Sequence, residues 1–245
     1  MVDTPGFDDT ERSDIEVLQE IANWTTATYK KNILLSGIIY LHPITDTCID
    51  GSAMRNLRMF ENLCGQEALE NVLLTTTQWS NIDPAEGQAR EDNLRDGGLW
   101  GGLLSRGASL QRFNGTRESG LELIQKLMSN TRKPLHIQNQ IVRQHMALPQ
   151  TDAGKFLDEG LTAREERFKQ ELESLEKQSR EALKAKDAEA NRILMVEQET
   201  AREKLETAGA ERRLLERLDA ADVERAGPSW PQLGCFRTAS GRSTC

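Results

Sequence analysis

The most specific chemical pattern in the sequence stands at its beginning. The string Val2-Asp3-Thr4-Pro5-Gly6 places a carboxylate three positions before a glycine. Only a residue without a Cβ lets the backbone come as close to a ligand as it could at Gly6. A string this short also fits an ordinary turn after a strand, so both interpretations stand until the elements around it are considered.

Other polar candidates are less specific. His42 follows an apolar run, at the predicted C-terminal end of a strand, where ligands bind in open α/β sheets. It could contact a ligand there, but a hydrogen-bonding residue in a turn fixed by Pro43 is the preferred interpretation. The acidic pair Asp8-Asp9 could touch a reacting water, although paired acids after a turn are more often solvated. The four cysteines have neither metal-ligand spacing nor a CxxC pair, which predicts free thiols in an intracellular chain: Cys48, Cys64, Cys235 and Cys245.

The first 150 residues alternate helical and strand-like patterns. Ser13 can cap a helix that runs to about Lys30, with acidic residues in its first turn. The continuous apolar run 33–41 is typical of a strand buried on both faces of a parallel sheet. Alternation of this kind predicts an α/β fold with a parallel sheet. The remaining predicted elements are helices at 52–64 and 118–130 and strands at 71–76 and 110–113.

The composition changes at about residue 151. From Leu161 to Ala226 the chain is almost wholly Ala, Glu, Lys, Arg, Leu and Gln, which predicts a long helix over 151–226. Apolar residues recur every seven positions up to Ala182 and predict a coiled coil, but charged residues then occupy that phase. A solvated single helix is an equally good interpretation, and the tail 227–245 is predicted to be disordered. The predicted seam consists of Leu161, Phe168, Leu172, Leu175 and Ala182.

Charge and hydropathy exclude several classes of protein. The 245 residues carry a formal net charge of −8, with a sequence pI of about 5.1. This balance argues against a general nucleic-acid binder, because neutralising phosphates needs clustered Lys and Arg. No apolar run reaches the roughly 20 residues that span a bilayer, and the first residues lack the features of a signal peptide. We therefore expect a cytoplasmic protein without a transmembrane segment.

Four motifs together resemble a known family. They are DTPGFDDT, GIIYLHPITD, NVLLTTTQW and a late RFxxTxxS pattern at 112–119. In this order they resemble fungal P-loop GTPases related to the immunity-associated and septin-like families, over about residues 1–130. The resemblance implies a three-layer GTPase (G) domain that binds guanine nucleotide and hydrolyses GTP slowly. Such proteins often carry C-terminal coiled coils, which would allow homo-oligomers.

The resemblance implies a role for five residues. Asp3 matches the aspartate that helps to hold Mg²⁺, and Gly6 matches the glycine whose N–H faces the γ-phosphate. Thr77 and Trp79 stand where the family has its base-specificity motif, and Ser119 stands in its late base-contacting loop. The Lys and Asp of that motif are absent here. Trp79 could hold a base by stacking without reading its edge, or it could be a core or lid residue.

The phosphate-binding loop of the family is missing. No Gly-x-x-x-x-Gly-Lys-Ser/Thr string occurs anywhere in the sequence. That loop cradles the phosphates with its amides and supplies a lysine and a Mg²⁺-ligating hydroxyl. We therefore expect an incomplete GTPase-type sheet over 1–150, with Met1 an internal start of a longer product or, less favoured, the chain a remnant. The alternative to a GTP-binding protein is a non-catalytic coiled-coil scaffold that self-associates.

Overall fold

The computed structural model describes residues 2–4, 6–7, 12–46, 51–96, 100–184 and 188–218. The predictions for Asp8-Asp9, for three of the cysteines and for the tail 227–245 fall outside these ranges. Within them the chain is mostly helical and has one three-stranded sheet. The elements are α1 Asp14–Lys30, β1 Ile38–Pro43, α2 Gly51–Cys64, β2 Val72–Thr77, α3 Pro84–Asp96, α4 Gly101–Ser105, β3 Ser109–Arg112, α5 Arg117–Met128, α6 His136–Gln138, α7 Asp152–Lys184 and α8 Ala188–Arg217, with 3₁₀ turns at Gln66–Asn71, Trp79–Asn81 and Leu148–Gln150 and a π-helical turn at Asn139–Arg143.

The three strands are parallel and lie in the order β1-β2-β3. Side chains of the central strand β2 alternate between two apolar clusters, as successive residues of a strand must. Leu73 packs with residues of α5 on one face, whereas Val72 and Leu74 belong to the main core on the other face. Helices therefore cover both faces of the sheet. The prediction of an α/β fold with a parallel sheet is confirmed at this level.

The predicted strand 33–41 is wrong at its beginning, because β1 starts only at Ile38. Ile33 is 53% exposed and precedes the sheet. A Cβ on Gly37 would lie 2.4 Å from the carbonyl oxygen of Asn71, so the chain enters the sheet through a close approach that only glycine permits. His42, predicted to follow the strand, lies inside it and is buried. A continuous apolar run does not indicate at which residue the pairing with the neighbouring strand begins.

Local signals set the ends of α1 and α2 as predicted. The Ser13 hydroxyl accepts a hydrogen bond from the Glu16 amide at 3.3 Å, and the Glu16 carboxylate accepts one from the Ser13 amide at 3.2 Å. This reciprocal capping box satisfies two N–H groups that the helix leaves unpaired. At the end of α2, Gly65 has a φ of 67°, which favours glycine and ends the helix.

The predicted long helix is instead two helices, α7 and α8, that lie antiparallel. Near the sheet, Arg212 Nε donates to Asp158 Oδ1 at 3.0 Å. Near the far ends of the two helices, the Ser179 hydroxyl donates to Asn191 Oδ1 at 2.7 Å. Contacts between a late residue of α7 and an early residue of α8 require opposite chain directions. We refer to α7 and α8 together as the helical hairpin.

The predicted seam faces α8 within the same chain. Leu161 and Phe168 are buried, and the later seam residues are partly buried. The buried residues of α8 recur every seven positions in a different phase, which explains why the heptad phase of α7 fails after Ala182. Because α8 runs in the opposite direction to α7, its heptad pattern is independent of the pattern of α7. The α8 positions are Ala201, Ala208 and Leu215.

The base of the hairpin is part of the main core. Leu157 and Leu161 of α7 and Leu215 of α8 are at most 2% exposed and belong to the same apolar cluster as Leu74 of β2. The compositional change near residue 151 therefore marks a change of secondary structure within one packed cluster. No helix in the described part of the chain is long and apolar enough to cross a bilayer.

Candidate functional site

The segments that follow the three strands meet at one edge of the sheet, because the strands are parallel. At the end of β2, Thr77 accepts a hydrogen bond from the Ile44 amide through its carbonyl oxygen, at 3.0 Å. Its hydroxyl donates to the His42 carbonyl at 3.4 Å. The next residue, Gln78, has a φ of 62° and turns the chain so that Trp79 folds back toward the sheet. Ligands of open parallel sheets bind at this edge.

Trp79 is partly buried and held by three contacts. Its indole Nε1 donates to the Thr76 hydroxyl at 3.0 Å. The guanidinium carbon of Arg112 lies 4.0 Å from the ring centroid, a cation–π arrangement. A Cβ on Gly87 of α3 would stand 2.9 Å from Trp79 Cζ3, so α3 also packs closely on the ring. Arg112 covers one face of the ring, so a base could stack only on the part of the ring that Arg112 and α3 leave exposed.

A buried carboxylate organises this edge. Glu91 of α3 is 2% exposed. It accepts hydrogen bonds from Arg112 Nε at 3.0 Å, through both of its oxygens, and from the Thr76 hydroxyl at 3.1 Å. Together with Trp79 these residues form what we call the Glu91 network. The hydrogen bond from Arg112 to Glu91, together with the negative charge of Glu91, raises the pKa of Arg112. Burial of Arg112 opposes part of this rise.

The sequence offered one indirect signal for Glu91. The helix α3 has a single large apolar residue, Leu94, although it packs against the sheet edge. A helix so poor in apolar side chains must bury a polar one, and a buried carboxylate needs charged or hydrogen-bonding partners. Periodicity cannot identify which of its acidic residues that is, because the partners lie on two strands.

Ser119 contributes to its own helix. It lies in the first turn of α5, where Thr116 Oγ1 accepts a hydrogen bond from the Ser119 amide at 3.2 Å. The Ser119 hydroxyl donates to the Thr116 carbonyl at 3.0 Å, and the residue is 7% exposed. These bonds are those of an N-terminal helix cap. Thr116 is thus the capping residue, and the Ser119 hydroxyl is occupied by its bond to the Thr116 carbonyl.

Asp3 and Gly6 are exposed and lie outside any strand. The segment is held to α2 by a hydrogen bond from Asn56 Nδ2 to the carbonyl of Phe7, at 3.1 Å. Within the described ranges, no hydrogen bond or ion pair joins Asp3 to another residue. Those ranges also hold no group of three or more His, Cys, Asp or Glu suited to a metal ion. The described residues around Asp3 thus include no second carboxylate, histidine or cysteine cluster that would hold Mg²⁺ with it.

His42 is a packing residue in β1. Its ring meets Trp100 nearly edge-on, with the centroids 5.6 Å apart. Burial lowers the pKa of His42, and the charge of Asp46 opposes this shift in part. A neutral buried ring inside a strand matches neither of the two roles that the sequence suggested for it.

Comparison with models of known protein families finds no match. Comparison with curated protein sequences finds none either. The geometry of the sheet edge, the Glu91 network and the hairpin is therefore the basis for the functional interpretation.

Proposed function

We propose that this chain is a GTP-binding protein of the P-loop GTPase class. In this proposal, the edge of its sheet is the part of the nucleotide site that faces the guanine base. One observation carries the proposal: the parallel order β1-β2-β3 puts Thr77 and Trp79 beside the segment that leads to Ser119. These are the segments that the resemblance associates with the base. GTP hydrolysis is the activity of the family that the chain resembles, and the proposal includes it only for a site with phosphate-binding residues.

The phosphate side limits what the chain does alone. The sequence has no Gly-x-x-x-x-Gly-Lys-Ser/Thr loop to cradle phosphates. Asp3 lacks further ligands among the described residues for the Mg²⁺ that accompanies GTP. Binding at the sheet edge should therefore depend on the base and gain nothing from the phosphates of a nucleotide.

A nucleoside titration tests the proposal without phosphates. The ¹⁵N-labelled chain is titrated with guanosine and, in parallel, with adenosine and uridine. We expect weak, saturable amide shifts confined to the segments around Thr77–Trp79 and Thr116–Ser119, larger for the purines because their rings stack better. Shifts spread evenly over the surface, or none at millimolar guanosine, would remove the basis for a nucleotide site.

A variant pair locates the response. Trp79→Ala removes the ring and should abolish the shifts, whereas Trp79→Phe keeps a stacking surface and should retain part of them. Trp24→Phe, in α1, is the matched control and should leave the shifts unchanged. Unaltered shifts in Trp79→Ala would assign the binding to another place. A melting curve for each variant separates loss of the site from loss of the fold.

The second candidate is a non-catalytic interaction protein. This candidate is supported by exposed apolar side chains on α8 that lie outside the seam with α7. Ile193 and Val196 are 55% and 69% exposed. Leu214, 43% exposed, lies five helical turns from Val196 on the same face. Polar residues such as Glu203 interrupt this stripe, but exposed apolar side chains on one helix face favour a surface that meets another protein.

Sedimentation equilibrium of the full chain tests this candidate. Self-association through the stripe predicts a mass that rises with concentration and returns to that of the monomer in Ile193→Glu/Val196→Glu. The control Ser174→Glu/Gln178→Glu adds two charges to the exposed face of α7 and should leave the association intact. A monomer at all concentrations would reject self-association, because the seam of α7 is already filled by α8.

A further inference from the structure

A polar cavity lies away from the sheet edge, where the hairpin meets α1 and α2. Its volume is about 380 Å³. Four arginines from three different parts of the chain line it: Arg12 before α1, Arg55 on α2, and Arg164 and Arg167 on α7. The chain as a whole carries a net charge of −8, so this concentration of guanidinium groups runs against its overall balance.

The carboxylates around the cavity leave part of this charge unbalanced. Two acidic residues line it: Asp14, whose Oδ2 lies 3.1 Å from Arg55 Nη2, and Glu211, whose Oε2 lies 3.4 Å from Arg164 Nη1. Four positive and two negative charges in the lining leave a local excess of two positive charges. A third carboxylate, that of Glu20, pairs with Arg12 from outside the lining, at 2.6 Å.

Among the four arginines of the lining, Arg167 is the one that pairs with no carboxylate of the described residues. In the part of the chain that the structure describes, no carboxylate lies within ion-pair distance of it. Its guanidinium carbon instead lies 5.0 Å from the ring centroid of Phe168. Contact with an aromatic face leaves the N–H groups of a guanidinium free to donate in the plane of the group. Arg167 is therefore the arginine best able to donate to an incoming anion.

The start of α1 adds little to the charge of this cavity. Ser13 and Glu16 close the first turn through their capping box, which already satisfies two of its amides. The arginines must supply the attraction for a ligand. Guanidinium groups donate two parallel hydrogen bonds to a phosphate and remain charged at any physiological pH.

We propose that this arginine-lined cavity binds a small phosphoryl-bearing anion. With Glu20 included, four guanidinium groups face three carboxylates, and the remaining positive charge attracts an anion. The ligand would join the segment before α1, helix α2 and the base of the hairpin, since the arginine donors come from all three. This site is independent of the proposed base-contacting edge and uses none of its residues.

Calorimetric titration of the full chain with pyrophosphate at low ionic strength tests the proposal, with inorganic phosphate and citrate as parallel ligands. We expect one saturable site for pyrophosphate with a dissociation constant below about 1 mM. Affinity should fall as salt rises, because the arginines are partly exposed and thus screened. Binding of citrate in preference to pyrophosphate, or no saturable binding, would overturn the assignment to phosphoryl anions.

Variants at Arg167 place the ligand. Arg167→Gln should weaken pyrophosphate binding about tenfold, the loss of one charge-assisted hydrogen bond. Arg167→Lys keeps the charge without the planar fork and should fall between. The matched control is Arg180→Gln on the exposed outer part of α7, and it should bind as the parent does. Equal losses in Arg167→Gln and Arg180→Gln would reduce the effect to net charge and reject the site.

Discussion

The sheet and the outer part of the helical hairpin bury apolar side chains to different extents. In the sheet, every residue of β2 from Val72 to Thr76 is buried, and helices cover both faces. In the outer hairpin only a narrow seam is covered, and Leu183 and Ile193 are 60% and 55% exposed. The base of the hairpin resembles the sheet in this respect. We therefore expect stability to depend on the sheet and the base, while the outer hairpin tolerates change.

The largest effect should come from a truncation at the base of the hairpin. Leu161 is 2% exposed and lies in the main core, so Leu161→Ala should lower the free energy of unfolding by about 3 kcal/mol. Leu183→Ala, on the same helix but exposed, should change it by less than about 0.5 kcal/mol. Urea denaturation followed by circular dichroism measures both. Equal losses of stability would mean that the hairpin is uniformly packed and would contradict the expected difference between its base and its outer part.

The free energy of unfolding should be nearly as sensitive to a substitution in the first turn of α7. A Cβ on Gly154 would lie 2.0 Å from the carbonyl oxygen of Leu148, so Gly154→Ala forces the backbone apart and should cost about 2 kcal/mol. Gly160→Ala is the control in the same helix, because its Cβ would meet only the flexible Arg55 side chain at 3.4 Å. It should be neutral or stabilising by up to about 1 kcal/mol. Thermal melting of the two variants checks this difference, and a stable Gly154→Ala protein would show that the turn is loose.

At the sheet edge, substitutions of Arg112 and Glu91 should have non-additive effects on the free energy of unfolding. Arg112→Met leaves Glu91 buried without its cation and should cost about 1.5 kcal/mol, less than for a fully buried pair because Arg112 is 39% exposed. Replacing both residues, in Arg112→Met/Glu91→Met, should recover much of that loss, since no unpaired charge is then buried. Strictly additive losses in the double-mutant cycle would argue that the two residues do not act together.

The smallest effect concerns pH. Burial lowers the pKa of His42 in the folded state, so the unfolded chain takes up a proton more readily. The stability contributed by neutral His42 is fully present above the usual pKa of about 6.5 and is lost as the pH falls through the folded-state value. The slope from this one group is at most about 1.4 kcal/mol per pH unit.

His42→Gln should flatten the dependence of unfolding free energy on pH between about 7 and 5. The control is His145→Asn, at an exposed position with a φ of 54° that Asn accepts. This control should keep the slope of the parent. Identical slopes in His42→Gln and the parent would assign the acid sensitivity to other groups.

The candidate site was only partly accessible from the sequence. The motif strings pointed to Thr77 and Trp79 at the edge of the sheet, and the structure places them there. The strings carried no information on Glu91, which is 15 residues from Thr76 and 21 from Arg112 along the chain. Contacts at such separations depend on how the strands and α3 pack. Exposed Asp3 is the opposite case, a residue with a specific motif and no partner among the described residues.

Local chemistry in the sequence determined most of the secondary structure. Ser13 and Glu16 define the start of α1, Gly65 ends α2, and apolar runs give the strands within a few residues. These signals act between neighbours, so no tertiary information is needed to interpret them. The seam from Leu161 to Ala182 is also local, because a heptad pattern is a property of one helix.

Only the tertiary structure decided what covers that seam. A heptad pattern requires an apolar partner but does not say whether another chain or the same chain supplies it. Here α8 turns back along α7, and its positions Ala201, Ala208 and Leu215 fill the seam in a new phase. The arginines around Arg167 come together for the same reason, since they lie on elements far apart in sequence. Such pairings are set by packing of the whole chain, where the free energy of burial depends on distant residues.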